Sequence, residues 1–197
     1  MKSLLLFTTI LLIFSCSKRE GKPKILVFSK TTGYHHESIA DGNIAIGKLG
    51  DLNSFDVDTT TDAQMFDEDS LKQYAAVVFL NTTGDVLNSY QEASFERYIQ
   101  AGGGFVGIHA AADCEYDWGW YGRLTGAYFL DHPGISDTFP NVQEGVLNIV
   151  DKDNAATKHL PAQWKRTDEY YSFKKISKDV KVLISIDEKS YRGGKNG

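Results

Sequence analysis

The sequence predicts an α/β fold in which a mostly parallel sheet carries helices on both faces. Three observations lead to this prediction. The chain is 42% hydrophobic and 24% charged, which is ordinary for a globular protein with a core. Most of its strand-length segments are continuous apolar runs, as expected for strands that are buried on both faces, and the segment at residues 55–60 alternates. Helical patterns separate these runs, and such alternation favours parallel strands joined by helices.

Strands and helices alternate along the first half of the chain. The strands are predicted at residues 24–30, 55–60, 75–81 and 104–110. The helices are predicted at residues 37–50, 68–74 and 89–104. Asp67 is placed to cap the second helix, and Ser89 with Glu92 has the spacing of a capping box at the start of the third.

Beyond residue 121 the pattern is less regular. Residues 122–130 fit a helix, and residues 142–150, 169–173 and 180–187 fit strands. In parallel α/β sheets, ligands bind at the carboxyl ends of the strands, near the point where the strand order switches. This principle selects the loops at residues 30–37, 81–88 and 109–121 as candidate site loops.

The N-terminus has the features of a bacterial lipoprotein signal. Lys2 precedes an apolar run at residues 4–14, which is too short to span a bilayer but fits a secretory signal peptide. The segment "IFSC" resembles a lipobox, with Cys16 as the lipidated residue; the alternative is a plain signal peptide that ends near a cysteine. We therefore predict a signal peptide at residues 1–15, a lipidated tether at 16–23 and an extracytoplasmic, membrane-anchored protein of the periplasm or cell surface.

Charge and cysteine content argue against a nucleic-acid-binding protein and against a protein stabilised by an internal disulfide. The net charge is −5 and no basic block is present, which argues against nucleic-acid binding through a basic patch. The two cysteines are Cys16 and Cys114. Lipidation of Cys16 would leave Cys114 as a lone thiol, so no internal disulfide is expected.

His109 is the first candidate for chemistry. It follows a buried strand and precedes small residues, which allow a sharp strand-to-helix turn like a nucleophile elbow. A histidine there could act as a base, a proton donor or a metal ligand. The alternative is a histidine that only packs and hydrogen-bonds at a strand end.

Other polar residues fall in the same loops or near prolines. His36 lies in the first loop, and His132 precedes Pro133. Asp113 and Glu169 could act as general acid or base, or hold sugar hydroxyl groups. The histidines could hold a divalent metal, but neither HExxH nor paired-cysteine spacing supports one, so the cofactor stays unknown.

Aromatic residues next to the carboxylates suggest a sugar site. Trp120 and Tyr121 could pack against a sugar ring, with Tyr34 and His132 as further contacts. The alternative for Trp120 and Tyr121 is packing in the core.

Three segments together resemble the ThuA-like family, named for trehalose utilisation: "KTTGYHHESI", "GGGFVGIHAAADCEYDWGWYGRLTGAYFLDHP" and "KHLPAQWKRTDEYYSF". The resemblance runs from about Lys24 to the end of the chain. It implies a flavodoxin-like, class I glutamine amidotransferase-like three-layer sandwich without the glutamine-hydrolysing triad. His109 would occupy the position where those enzymes carry cysteine, so the chain is not expected to be a Cys-dependent glutamine amidotransferase.

The resemblance also implies a function and a set of residues. The function is carbohydrate metabolism, acting on disaccharides or their keto derivatives. The residues that match the family's motifs are His36, His109, Asp113, Tyr121, His132 and Glu169. Relatives continue past "GGKNG", so the domain at residues 24–197 is expected to lack the C-terminal part of the family domain.

Two functions follow from these observations. The first is a sugar-processing hydrolase, lyase or isomerase in which His109, His36, Asp113 and Glu169 carry out acid–base chemistry. The second is a sugar-binding lipoprotein without catalysis. Either would take a small carbohydrate as partner and reach the membrane through its lipid anchor, and a homo-oligomer remains open.

Overall fold

The computed structural model describes residues 21–134 and 138–196. The predicted signal peptide and Cys16, the predicted site of lipidation, lie outside these residues. In the described ranges, no helix combines the length and the apolar character needed to cross a membrane.

Strands and helices alternate as predicted up to residue 108, and a strand-rich region follows. The strands are β1 Lys24–Phe28, β2 Asp56–Thr60, β3 Ala76–Leu80, β4 Gly104–Ile108, β5 Tyr128–Asp131, β6 Val142–Ile149, β7 Gln163–Glu169, β8 Ser172–Lys174 and β9 Ile184–Asp187. The α-helices are α1 Ser38–Asn53, α2 Glu68–Leu71, α3 Ser89–Gln100 and α4 Gly119–Thr125. A 3-10 turn at His109–Ala112 follows β4 directly.

The central sheet is parallel, which confirms the predicted fold class. Its strand order is β2-β1-β3-β4. All three neighbouring pairs run in the same direction, with Phe28 opposite Phe79 and Phe79 opposite Gly107. The chain moves from β1 outward to β2 and then returns past β1 to β3, so the switch in strand order lies between β1 and β3. Ligand sites of such sheets lie near this point, at the carboxyl ends of the strands.

The two central strands, β1 and β3, are covered on both faces. Leu26, Phe28 and Phe79 point to one face, where they join a cluster with residues of α3 and α4. Val27 and Val78 point to the other face. Successive residues of a strand point to opposite faces, so a strand that is covered on both sides must be apolar throughout. The continuous apolar runs in the sequence are therefore explained.

Two helix caps show where local sequence determines structure. The Asp67 side chain accepts hydrogen bonds from two backbone amides at the start of α2, as predicted. The capping box of α3 is formed by Asn88 and Gln91 rather than by Ser89 and Glu92. The prediction was wrong by one residue, because Asn88 is itself a strong cap and takes the extended backbone that a cap requires.

The second half of the chain forms two antiparallel sheets. One pairs β5 with β8, and the other has the order β7-β6-β9. The predicted helix at residues 122–130 is wrong in its second half, because Gly126 takes a left-handed conformation that ends α4, and β5 follows. The strand predicted at residues 169–173 is instead the end of β7 and the start of β8.

Glu115 is a buried carboxylate that supports the loop before α3. Its Oε1 atom accepts hydrogen bonds from the backbone amides of Val86 and Leu87, each at 2.9 Å. The residue is 3% exposed, and this burial raises the pKa of Glu115 to about 7. When folding raises the pKa of a carboxyl group, the folded state is more stable with that group protonated than with it ionised.

We expect Glu115 to make the protein less stable as the pH rises. Because its folded pKa lies above its unfolded value, its contribution is fully present below about pH 4.5 and is lost as the pH rises through about 7. Urea unfolding should show a free energy of unfolding about 1–3 kcal/mol lower at pH 8 than at pH 5. Glu115→Gln keeps an oxygen acceptor for both amides and should remove most of that difference. Glu144→Gln, at an exposed site, should leave this difference between pH 5 and pH 8 unchanged. If both variants showed the same difference, Glu115 would not be its source.

Candidate functional site

The loops after β1, β3 and β4 are joined into one platform. Thr31 and Thr83 form an isolated parallel β-bridge, and Gly84 and Cys114 form another. The backbone amide of Gly84 donates to the carbonyl of Asp113 at 2.9 Å. These bonds hold together the three loops that the sequence selected, at the carboxyl ends of the parallel strands.

His109 stands at a strained turn. Its φ is +49°, a left-handed conformation that is uncommon for residues other than glycine. The turn is held by Tyr121, whose hydroxyl donates to the carbonyl of Ala111 at 2.7 Å. Such strain persists only where the surrounding structure imposes it, and it concentrates at functional sites. The predicted sharp turn after β4 is therefore present.

Glu169, at the end of β7, is the centre of a cluster of imidazoles. Its Oε2 atom lies 3.0 Å from Nε2 of His109 and 3.8 Å from Nε2 of His36. Its Oε1 atom lies 3.5 Å from Nε2 of His132. Asn141 donates to the same Oε1 at 2.9 Å. One carboxylate thus contacts three histidines from different loops.

The cluster is partly withdrawn from water. The side chains of Glu169 and of its three histidines are between 14% and 26% exposed. Burial, and then the neighbouring His109, lower the pKa of His36, which favours the neutral form of this imidazole. Burial, and then the charge of Glu169, raise the pKa of Tyr171, which therefore keeps its proton. The Tyr171 ring packs on His109 with 4.2 Å between ring centroids.

The hydrogen bonds of His132 determine which of its nitrogens carries a proton. Its Nδ1 atom lies 2.9 Å from the carbonyl oxygen of Pro133. A carbonyl can only accept, so Nδ1 must donate. In a neutral ring, Nε2 would then present a lone pair 3.5 Å from the carboxylate of Glu169. This pair is favourable only when a proton or a cation lies between the two atoms.

A cavity of about 370 Å³ adjoins the cluster. Small-molecule sites have volumes of about 300–1,000 Å³. Asp113 lines the cavity, and one of its oxygens accepts a hydrogen bond from the hydroxyl of Tyr116. The ring of Tyr34, which is 70% exposed, stands edge-on to His36 with 4.9 Å between centroids. The lining residues are Tyr34, His36, Asp113, Phe129, His132, Asn141, Glu169 and Tyr171.

A second cavity of about 770 Å³ lies beside the first. Glu169 and Tyr171 line both cavities, and His109 lines the second. Apolar residues such as Phe105 and Trp164 form much of its remaining wall. A ligand longer than one ring could extend from one cavity into the other.

Most of the predicted site residues meet at this place. Those brought together are Tyr34, His36, His109, Asp113, His132 and Glu169. Sequence reasoning missed Phe129, Asn141 and Tyr171, which also line the cavity. Tyr171 could have been found, because it lies two residues after Glu169 in the same motif. Asn141 lies in no motif of this kind, so the sequence offered no reason to select it.

Two predicted sugar contacts are wrong. Tyr121 is 0% exposed and lies in the aromatic core, where its ring is 5.7 Å from that of Phe79. Trp120 packs against Phe95 and Trp118 and lines neither cavity beside the cluster. Helix α4 turns both side chains inward, because its apolar side must cover the sheet.

Cys114 is unsuited to act as a nucleophile. The side chain is 0% exposed. Burial raises the pKa of its thiol far above the usual range. The reactive form of cysteine is the thiolate, which this environment suppresses. These facts support the expectation that the chain does not act as a Cys-dependent amidotransferase.

The chain is similar to one described family and to solved structures of that family. A family model described as "ThuA: Trehalose utilisation" matches residues 24–197. The structure of a ThuA-like protein from Bacteroides uniformis is 26% identical, with a TM-score of 0.73, and the match covers 93% of this chain and 76% of that one. A ThuA-like protein from Parabacteroides merdae is 24% identical, with a TM-score of 0.68, over 86% and 71% of the two chains. No curated protein matches this chain significantly.

Proposed function

The chain belongs to the trehalose utilisation (ThuA) family, a family of carbohydrate metabolism, and from this premise we propose that it is an enzyme that transforms a disaccharide or a keto-sugar by acid–base chemistry. One observation carries the proposal. Imidazoles and carboxylates from separate parts of the chain converge on Glu169 beside a cavity. Titratable groups that meet in a concave site are the ordinary basis of general acid–base catalysis.

The chemistry that fits best is proton removal from the carbon next to a keto group. His109 or His36 takes the proton, and Glu169 or Asp113 supports the imidazolium that forms. The negative charge that develops on the keto oxygen needs a hydrogen-bond donor. Tyr171, whose raised pKa keeps its hydroxyl protonated, is such a donor in the same cavity.

A sugar-binding protein without catalysis is the second candidate. The aromatic side chains of Tyr34, Phe129 and Tyr171 in the cavity favour it, because sugar rings pack on aromatic faces. Anchoring through Cys16 at the cell envelope, which we also propose, would suit capture of a sugar. Binding of a keto-disaccharide without any product would favour this candidate over the enzyme.

We expect His109 variants to lose turnover. With 3-keto-disaccharides as substrates, His109→Ala should lower kcat by about 10²–10⁴-fold, the usual contribution of a general acid or base. His109→Asn should behave alike, and it removes the objection that alanine is strained at this backbone position, because asparagine tolerates positive φ. His35→Ala is the matched control, since His35 is exposed and lies outside the cavity. Equal turnover of wild type and both His109 variants would exclude the proposed enzyme.

A further inference from the structure

We propose that His36, His109 and Glu169 bind one divalent cation of the zinc class. The inference uses the same site as the proposed function and rests on it for the role of the ion. The spacing of histidines in the sequence did not support such a site. The structure brings the residues together from β1, β4 and β7, which no local motif could show.

The donor atoms have the spacing of a metal site. One ring nitrogen of His36, one ring nitrogen of His109 and a carboxylate oxygen of Glu169 all lie within 4.8 Å of one another. Zinc ligands at about 2.0–2.2 Å in tetrahedral geometry lie about 3.3–3.6 Å apart. The two distances to Oε2 of Glu169, 3.0 and 3.8 Å, bracket that range. A small shift of the side chains would seat an ion.

Both imidazoles can present a lone pair. The rings of His36 and His109 are nearly perpendicular, with 4.9 Å between centroids, so their Nε2 atoms approach the carboxylate from different directions. Nδ1 of His36 has no hydrogen-bond partner among the described residues. The Nε2 atom of His36 faces Oε2 of Glu169 at 3.8 Å and the hydroxyl of Tyr171 at 3.5 Å, and a cation bound at Nε2 would place the ring proton on Nδ1.

The charges around Glu169 also favour a cation. In the described part of the chain, its ion-pair partners are His36, His109 and His132, rather than a lysine or an arginine. A partly buried carboxylate is costly without a positive partner. A bound divalent ion would supply that charge at Oε2, with His36 and His109 as its neutral ligands.

The other oxygen of Glu169 has the partners that a ligand carboxylate usually has. Asn141 donates to Oε1 at 2.9 Å, and His132 approaches the same atom. Such partners orient a ligand, and removing one lowers metal affinity by about 10–100-fold. Two imidazoles and one carboxylate leave a coordination position open, as catalytic sites do. A carbonyl oxygen of a keto-sugar in the cavity could occupy it. With the ion bound, His36 and His109 would be its ligands instead of the base, and Asp113 or His132 would move the proton.

Titration of the metal-free full chain with zinc chloride tests the site. After chelator treatment and dialysis, isothermal titration calorimetry should show one ion per chain. His36→Gln and Glu169→Gln should each weaken binding by at least about 100-fold, more than the loss of an orienting partner. Asn141→Ala should weaken it by about 10-fold. The matched controls His35→Gln and Glu144→Gln change the same residue types at exposed positions and should bind as wild type does.

Cobalt provides a second readout that does not depend on activity. The Co²⁺-loaded wild type should show visible ligand-field bands of a four-coordinate site, and Glu169→Gln should lose them. The proposal is overturned if binding does not saturate at one ion, or if His35→Gln weakens it as much as His36→Gln. Should a histidine variant fail to fold, Glu169→Gln decides the question alone, because Gln matches Glu in size.

The outcomes separate the ion from the proposed function. A chain that binds zinc in this way but never converts a sugar keeps the metal site and excludes the enzyme. A chain that converts keto-disaccharides but binds no zinc in the titration keeps the enzyme and excludes the metal site.

Discussion

Glu169→Gln should lower turnover of a keto-disaccharide by about 10²–10⁴-fold, the usual contribution of a positioned acid or base. The carboxylate lies 3.0 Å from His109 and contacts His36 and His132 as well. Gln keeps the size of the side chain and an acceptor for Asn141, but it removes the negative charge. Steady-state kinetics on the full chain measure the effect.

Glu144→Gln is the control for this experiment. Glu144 is exposed, and its Oε1 atom pairs with Lys165 on the same antiparallel sheet. Surface ion pairs of this kind contribute little to stability, so Glu144→Gln should retain full turnover. A Glu169→Gln chain that keeps its fold and more than half of wild-type turnover would rule out a catalytic role for the cluster.

Tyr121→Ala should lower the free energy of unfolding by about 3–5 kcal/mol, the usual cost of removing a large buried aromatic side chain. Tyr121 is 0% exposed. Its hydroxyl also donates to the backbone turn that holds His109 in place. Urea unfolding monitored by circular dichroism measures the loss. Tyr121→Phe, which keeps the ring, should cost only about 1 kcal/mol.

Tyr34→Ala should have the opposite pattern of effects, with stability retained and sugar binding weakened. Tyr34 is 70% exposed beside His36, so its removal should alter stability by no more than about 0.5 kcal/mol. It lines the cavity, and we expect the variant to raise the KM for the sugar. If Tyr121→Ala raised KM while leaving stability unchanged, the assignment of Tyr121 to the core would be wrong.

The parallel half of the fold could be predicted because each of its strands and helices is determined by residues that are close together in the chain. Strands β1 and β3 are continuous apolar runs, β2 is a short alternating segment, and helices α2 and α3 begin at residues that cap them. The region after Tyr121 could not be predicted in the same way. Its short strands pair with partners far along the chain, and α4 ends at Gly126 within a segment whose pattern favours a longer helix.

Which residues form the candidate site could be predicted better than how those residues are arranged. His109 and His36 follow parallel strands, so the fold class alone places them at one edge of the sheet. The position of Glu169 depends on how β7 approaches that edge, which no pattern of spacing reveals. Tyr121 shows the opposite error: its aromatic ring beside carboxylates resembled a sugar contact, whereas burial under the sheet determines its place.

The separation of Glu169 from His109 has a consequence for folding kinetics. The residues lie 60 positions apart, and Glu169 ends a strand of the β7-β6-β9 sheet, whereas His109 follows the parallel sheet. Contacts between distant residues form slowly, because a long loop must close before they are made. In the parallel sheet, Lys24 of β1 pairs with Asp56 of β2 and Ala76 of β3 pairs with Gly104 of β4, which are shorter separations, whereas the cluster is complete only after β7 arrives. We therefore expect the cluster to form late in folding, after these strand pairs.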